Sequence, residues 1–383
     1  MRAQFAGLVL LAACNFPHGA LMGGDDSGDD GGPGGDDGGG SGSDATMTAC
    51  AWSYTPKNFN PCTLPTPAPY DVQTMTSLDV GSTSLPKKMV DQSDGSPLVI
   101  IHLSTLTINA QLTVDGVATV FAVDGDVTIT ALGSIVAVAG GDNSMQCMTA
   151  RGGAGTDSTG PAAGGGGGGG GGAAGMGGPA SDGGMGGHGN AGGAGQMVTS
   201  TLSPLRGGCR GGSGGRRDMT GLAAAGGRAG GALQISSNGT LEIAGFIDAA
   251  GRGGNTNVAQ YGGGGGGAGG GVLLEAAIAK LDVGARLCAD GGGGGEGGGT
   301  TAVGENGGSS PCTGITGAPG GDFGQNGGAG GAGAFGNNGA GAAGGAAGGA
   351  GGGGGGGAVG WIFVHATTVM DSGATSTPPA QFN

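Results

Sequence analysis

Residues 231–254 read GALQISSNGTLEIAGFIDAAGRGG, an alternating apolar stretch that runs into glycine. A period of two places the aliphatic side chains of this stretch on one face of short strands. Those side chains belong to Leu233, Ile235, Leu241, Ile243 and Ile247. One such strand unit cannot bury its own apolar face, so it needs neighbouring copies of the same kind.

Further copies of this unit recur along the chain. One copy precedes Gly140 and contains Val127, Ile129, Ile135, Ala137 and Ala139. Another precedes Gly291 and contains Val272, Leu274, Leu281, Val283, Leu287 and Ala289, and a partial copy contains Val359, Trp361, Phe363 and His365. Recurrence of a strand unit predicts an all-β fold, a right-handed parallel β-helix or a related solenoid-like array.

Composition narrows the class of protein. Of 383 residues 107 are glycine, and only 4% are aromatic, so the apolar core must be narrow and confined to the strand units. The formal net charge is −14, and a chain of this sign repels nucleic acid. Phosphate-binding and calcium-binding motifs do not occur above the background that runs of glycine create, so the sequence predicts no cofactor and no metal.

The first residues have the layout of a bacterial lipoprotein signal. A short apolar run leads to Leu11, Ala12, Ala13 and Cys14, which match a lipobox in which Cys14 receives the lipid. An ordinary cleaved signal with a chance cysteine is the alternative. The resemblance to lipoproteins implies that Asn15, in place of an aspartate that would favour the inner membrane, favours the outer membrane. A surface-exposed location is part of the prediction.

We predict five regions from these patterns. They are a signal peptide (1–13), a disordered Gly/Asp-rich tether (14–48), a Cys/Pro-rich N-terminal cap (49–97), a β-solenoid (98–371) and a tail (372–383). Trp52 and Tyr54 lie in the cap, where burial is favoured over a carbohydrate-binding role. Glycine-rich inserts interrupt the solenoid at about 141–230, 251–271 and 290–357.

The inserts are too long for structureless loops in a compact domain, which leaves disorder or an order of their own. Glycine recurs at every third residue from Gly183 to Gly195 and again from Gly327 to Gly339. Three residues per turn is the repeat of extended left-handed helices, which must pair with their neighbours. We therefore expect parts of the inserts to pack as polyglycine-like segments.

Cysteine usage fits an exported protein. Apart from Cys14 the chain has six cysteines, an even number that suits disulfides in an oxidising compartment and allows fifteen connectivities. The spacing favours three pairs: Cys50 with Cys62, Cys147 with Cys209, and Cys288 with Cys312. Zinc binding is the alternative, but no pair has the two-residue spacing of a zinc site.

Two groups of charged residues are candidates for function. The first is a basic patch, a candidate contact for anionic glycans whose alternative is a solvated loop: Arg206, Arg210, Arg216, Arg217 and Arg228. The second consists of Asp248 with Arg252 and Asp282 with Arg286, at comparable positions in two units. These pairs would serve a β-helix polysaccharide lyase or hydrolase, although surface ion pairs of this kind are more common.

The order of strand units and glycine runs over residues 98–365 resembles uncharacterised Gly-rich lipoproteins of myxobacteria. These are PE-PGRS-like in composition but lack the PE segment. The resemblance implies a cell-envelope location and a β-helix-like fold, and it implies no activity. We predict a non-enzymatic surface lipoprotein with a structural or adhesive role, held by its lipid anchor and contacting polysaccharide or matrix; the alternative is a polysaccharide-active β-helix enzyme.

Overall fold

Two hydrogen-bonded sheets, built almost entirely from parallel strands, organise the chain. The computed structural model describes residues 52–139, 147–159, 164–184, 187–195, 202–219, 221–256, 258–312, 316–322, 326–347 and 350–383. The predicted signal peptide, tether and lipidated Cys14 lie outside these residues. Within them the structure is all-β, and the short 3₁₀ helix Pro61–Thr63 is the one helical element with a defined range.

The strands carry Val, Ile, Leu and Thr in alternation, which suits a pleated surface buried on at least one face. In chain order they are β1 (Ala68–Val72), β2 (Thr76–Asp79), β3 (Lys87–Asp91), β4 (Pro97–Ile108), β5 (Gln111–Gly116), β6 (Ala118–Val123), β7 (Val127–Ile129), β8 (Ser134–Ala139), β9 (Ala232–Ile243), β10 (Phe246–Asp248), β11 (Gly271–Leu281), β12 (Arg286–Cys288), β13 (Trp361–Asp371), β14 (Thr375–Thr377) and β15 (Gln381–Phe382).

From β7 to β15 the chain alternates between the two sheets. The larger sheet has the order β1-β4-β6-β9-β11-β13-β15, with β7 between β4 and β9, and the smaller has the order β2-β5-β8-β10-β12-β14. Every pairing is parallel except that of β3 with β4. Sheet residues begin at Ala68 and continue to Phe382, so the sheets extend beyond the predicted solenoid range of 98–371.

The register stacks aliphatic residues into columns. One column in the larger sheet runs through Val72, Ile108, Ile129, Ile243 and Leu281. One in the smaller sheet runs through Leu112, Ile135, Ile247 and Leu287. These residues belong to one continuous core, which buries the apolar face that a single unit leaves open.

Two details of the predicted alternation are wrong. Val283 was expected on the core face but is 76% exposed, because it lies in the turn between β11 and β12. Trp361 and Phe363 are buried on the opposite face of the larger sheet, in a second core that does not include their neighbour Ile362. A period of two shows which residues share a face, but it does not identify the face when both are buried.

Residues 52–64 form a strap that covers this second face of the larger sheet. Trp52, Phe59 and Leu64 pack against its apolar residues. Trp52 also makes edge-on ring contacts with Tyr54 and Phe59, with centroids 5.7 and 5.6 Å apart. The predicted cap therefore includes a segment that lies across the strands, and Trp52 and Tyr54 are partly buried in it.

The glycine-rich inserts are ordered where the structure describes them. Three buried stretches, residues 164–172, 260–270 and 351–359, are here called the central glycine segments. Gly165, Gly168 and Gly171 donate their N–H groups to the second segment, at Gln260, Gly263 and Gly266. Gly263, Gly266 and Gly269 donate to the third segment, and Gly352, Gly355 and Ala358 donate back to the first. The three segments run parallel and form a closed cycle of hydrogen bonds.

The remaining N–H groups of these segments also bond outward at three-residue intervals. Gly166, Gly169 and Gly172, for example, donate to Thr156, Gly153 and Ala150. Every N–H group from Gly164 to Gly172 finds a carbonyl in another segment, at 2.7–3.1 Å. The predicted polyglycine-like packing is confirmed for these stretches, with one hydrogen bond per residue and three residues per repeat.

Close approach of the backbones explains why glycine fills these positions. A Cβ atom at Gly168 would lie 2.2 Å from the carbonyl oxygen of Gly212, and one at Gly170 would lie 1.8 Å from that of Gly356. Real Cβ atoms do not come so close to backbone atoms. Glycine is therefore required here by the space between segments, not by an unusual backbone angle.

Disulfides hold the inserts near the strands. Cys147 bonds to Cys209 and Cys288 to Cys312, with Cα atoms 5.5 and 5.6 Å apart, so both of these predicted pairs are confirmed. Cys62 is also disulfide-bonded. Its predicted partner, Cys50, lies outside the described residues. The first bridge closes a loop inside the first insert, and the second joins β12 to the third insert.

The packing predicts that Gly168→Ala destabilises the protein while Gly339→Ala does not. The added methyl group at 168 meets the Gly212 carbonyl, and overpacking of this kind costs about 1–3 kcal/mol. At 339 the nearest atom is 3.8 Å away, so alanine fits. Thermal and denaturant unfolding of both variants checks this, and equal loss of stability in the two would contradict the close packing.

Removal of the Cys147–Cys209 bridge should cost more stability than removal of Cys288–Cys312. The first joins residues 62 apart in sequence and the second residues 24 apart, and chain entropy favours the longer loop, giving about 4.3 against 3.5 kcal/mol. Paired Cys→Ser variants and denaturant unfolding measure the two losses. A larger loss for the Cys288–Cys312 variant would show that loop entropy does not determine the order.

Candidate functional site

The five arginines predicted to contact anionic glycans all bind other parts of this chain. Arg206 pairs with Asp94 (3.4 Å), Arg216 with Asp157 (2.7 Å), Arg217 with Asp218 (3.1 Å) and Arg228 with Asp115 (2.7 Å), while Arg210 donates to the Gly226 carbonyl (3.1 Å). Carboxylates thus oppose the charge of four of these arginines, and the contacts tie insert segments to each other and to the strands. Contact with a glycan stays a prediction.

The strongest of these pairs joins two glycine-rich segments. Arg216 contacts the Asp157 carboxylate through its Nε and Nη2 atoms, at 3.1 and 2.7 Å, and through its backbone N–H at 2.6 Å. Hydrogen bonds from Arg216 lower the pKa of Asp157. Both residues are partly exposed, so we expect a small contribution to stability and a definite geometry.

The acid–base pairs considered for an enzyme differ from one another in the structure. Arg252 lies 3.4 Å from the Asp248 carboxylate. Arg286 instead places its guanidinium over the Phe246 ring, 5.3 Å from the centroid, because Phe246 and Arg286 are register partners in β10 and β12. The positions on neighbouring strands thus support one ion pair and one cation–π contact.

A buried carboxylate that the sequence analysis did not single out lies beneath the strap. Glu275, in β11, is 2% exposed and accepts hydrogen bonds from Gln234 (2.8 Å), Ser236 (2.9 Å) and the Lys57 N–H (3.1 Å). Burial raises the pKa of Glu275, although these donors oppose the shift. This network holds the strap against the sheet, and Glu275 could be found in the sequence as the acidic residue inside VLLEAAIA.

A second buried carboxylate, Asp290, lies just after β12 at the start of a glycine run. It is 1% exposed and accepts hydrogen bonds from Thr377 Oγ1 (2.6 Å) and Ser310 Oγ (2.9 Å). Burial raises the pKa of Asp290 to about 6, and the negative charge of Asp248 acts in the same direction. The two hydroxyl groups oppose the rise.

The Asp290 network joins distant parts of the chain. Thr377 Oγ1, besides donating to Asp290, accepts a hydrogen bond from the Gly336 N–H at 3.0 Å. Asp290 therefore links the third insert to the C-terminal strands. Sequence reasoning missed this site because Thr377 and Ser310 are 87 and 20 residues away, and the only local signal is an aspartate before glycine.

Comparison of the chain with protein-family models, curated proteins and solved structures finds no match. Among the described residues no three His, Cys, Asp or Glu side chains come together as metal ligands. The same part of the chain contains no helix with the length and hydrophobicity needed to cross a membrane.

The raised pKa of Asp290 predicts that folding stability falls as the pH rises. The folded protein keeps this proton up to about pH 6, whereas the unfolded chain loses it near 3.8. The protonated Asp290 contributes its full share of the unfolding free energy below pH 3.8. This share is lost as the pH rises through about 6, a change of about 3 kcal/mol. Asp290→Asn should flatten this part of a plot of unfolding free energy against pH.

Glu242→Gln provides the control, since it removes a carboxylate from β9 outside the Asp290 network. We expect its stability to follow the wild-type pH dependence between pH 3.5 and pH 7. An Asp290→Asn protein that retains the full wild-type slope would show that other groups produce the dependence.

Proposed function

We propose that this protein is a non-enzymatic surface lipoprotein with a structural or adhesive role in the bacterial envelope or extracellular matrix. In this proposal the two sheets are the walls of a right-handed parallel β-solenoid. The support is the parallel register, in which each successive long strand adds one layer to the larger sheet and the following short strand adds one to the smaller. The central glycine segments and the inserts around them form an ordered unit attached to this solenoid.

The observation that carries the proposal is the cross-linked order of the glycine-rich inserts. The disulfides Cys147–Cys209 and Cys288–Cys312 fit an oxidising, extracytoplasmic compartment. The backbone groups of the inserts form hydrogen bonds with one another, and these bonds hold the described segments in a defined arrangement. Such a body resists deformation and proteolysis, which suits a protein displayed outside the cell.

The anchoring half of the proposal depends on the sequence around Cys14. A diacylglycerol on Cys14 would supply two acyl chains, enough for stable attachment to a membrane. The acidic, glycine-rich stretch that follows would separate the folded body from the lipid surface. Asn15 at the second position of the mature chain favours the outer membrane.

Cys14→Ser should abolish lipid labelling and release the protein from the membrane fraction. Incorporation of labelled palmitate, membrane fractionation and protease treatment of intact cells measure lipidation, attachment and exposure. The matched variant Asn15→Asp should keep the lipid but move the protein toward the inner membrane. A Cys14→Ser protein that stays lipidated and surface-exposed would rule out the proposed anchor.

The adhesive role has a separate measurement. Cells that produce the wild-type protein should bind matrix more strongly than cells that produce the Cys14→Ser protein, because release from the membrane breaks the mechanical link. The Gly339→Ala protein keeps both the anchor and the fold. It is the control, and cells that produce it should bind matrix as strongly as cells that produce the wild-type protein. Equal binding by anchored and released forms would argue against adhesion.

A further inference from the structure

A cleft opens at the C-terminal end of the sheets, where the third central glycine segment leads into β13. Its volume is about 320 Å³. Six of the residues that line it are Val359, Trp361, Asn337, Pro378, Pro379 and Gln381. The volume lies at the lower end of the range for small-molecule sites, which suits a ligand of one or two small rings.

The lining determines which chemistry fits. The apolar residues of the lining are Val359, Trp361, Pro378 and Pro379. Its two side-chain amides belong to Asn337 and Gln381, and an amide can both donate and accept hydrogen bonds. The lining residues that the structure describes include no Asp, Glu, Lys, Arg or His. A charged ligand would lose its hydration here without gaining a counter-charge. A neutral ring that carries hydroxyl groups on its rim and C–H groups on its face matches both surfaces.

We propose that this cleft binds a neutral sugar residue. The walls are fixed before a ligand arrives, which lowers the entropic cost of binding. The Gly336 N–H donates to Thr377 Oγ1, and Thr377 donates to buried Asp290, so the loop with Asn337 and the segment with Pro378 are held together. The pairing of Phe363 with Gln381 holds the strand that carries Gln381 beside β13.

The other tryptophan makes a useful comparison. Trp52 contacts Tyr54 and Phe59 and donates its Nε1–H to Asp124 at 3.1 Å, so its ring belongs to the strap. Trp361 lines a cleft instead, but it is only 6% exposed. A sugar would contact a narrow strip of the indole, and the amides would account for much of the selectivity. We therefore expect weak, selective binding.

This proposal names a ligand class for the proposed adhesive role and rests on that role only for its biological purpose. The binding itself is a property of the purified protein. If the Cys14→Ser experiment fails while sugar binding is observed, the anchor is wrong and the site stands. If anchoring and adhesion are observed without sugar binding, the site is wrong and the surface role stands.

The test uses the purified full-length protein and free sugars. Saturation-transfer NMR and tryptophan fluorescence follow titration with glucose, galactose, mannose and N-acetylglucosamine, and with the charged relatives glucuronic acid and glucosamine. We expect saturable binding of at least one neutral sugar and at least tenfold weaker binding of the charged ones. No saturable binding of any neutral sugar, or equal binding of its charged relatives, overturns the proposal.

Variants locate the binding. Asn337→Ala and Gln381→Ala should each weaken binding by about three- to tenfold, the usual effect of losing one neutral hydrogen bond. Asn338→Ala is the matched control, because Asn338 is the exposed neighbour of Asn337 and does not line the cleft. Both amides are exposed, so these changes should leave the unfolding temperature unaltered. Unchanged affinity in both amide variants, or an equal loss in Asn338→Ala, places the binding elsewhere and overturns the proposal.

Discussion

The exchange of backbone hydrogen bonds among the central glycine segments is the constraint on which the rest of the structure depends. A segment with three residues per turn makes no hydrogen bonds within itself, so its N–H groups point to different neighbours in turn. Glycine also gives up more conformational freedom on folding than any other residue, and it has no side chain whose burial could offset that loss. Order in one insert therefore requires order in the others. The closed cycle from 164–172 to 260–270 to 351–359 meets this requirement, because each segment receives what another donates.

The sheets bring the inserts together in the arrangement that the cycle needs. The three inserts begin after β8, β10 and β12, which are neighbours in the smaller sheet. They end at β9, β11 and β13, which are neighbours in the larger sheet. Adjacent strands lie about 4.8 Å apart, so the ends of successive inserts are held at a hydrogen-bonded spacing. The segments that enter β11 and β13 are parallel because those strands are parallel. Apolar burial in the sheets thus compensates for the small gain per glycine, and the disulfides limit the freedom of the longest loops.

Sequence patterns predicted much of this fold because its repeats are local. Alternation identified Ile243, Leu281 and their equivalents as core, and the three-residue glycine period indicated that the inserts pack on each other. The glycine period did not identify which segments would be hydrogen-bond partners, because a run of glycine has the same sequence in every register. The sheet face of Trp361 was also unpredictable, because the strap and the chain near Leu202 bury the second face from far away in sequence. The Asp290 network escaped detection for the same reason: its hydroxyl donors are Ser310 in the third insert and Thr377 in β14, and no residue beside Asp290 marks them.

The pairing of β11 with β13 and of β12 with β14 places polar residues in two columns that are aliphatic in the earlier strands. In the larger sheet, the column Ile129, Ile243, Leu281 ends at Asp371; in the smaller, the column Ile135, Ile247, Leu287 ends at Ser376. An aliphatic residue at either position would invite another strand to continue the array, whereas a carboxylate and a hydroxyl make continuation costly. The C-terminal segment then adds only the two-residue strand β15 beside Phe363 and Val364. The polar residues of β13 and β14 at these two column positions thus set them apart from the earlier strands, whose aliphatic partners favour stacking.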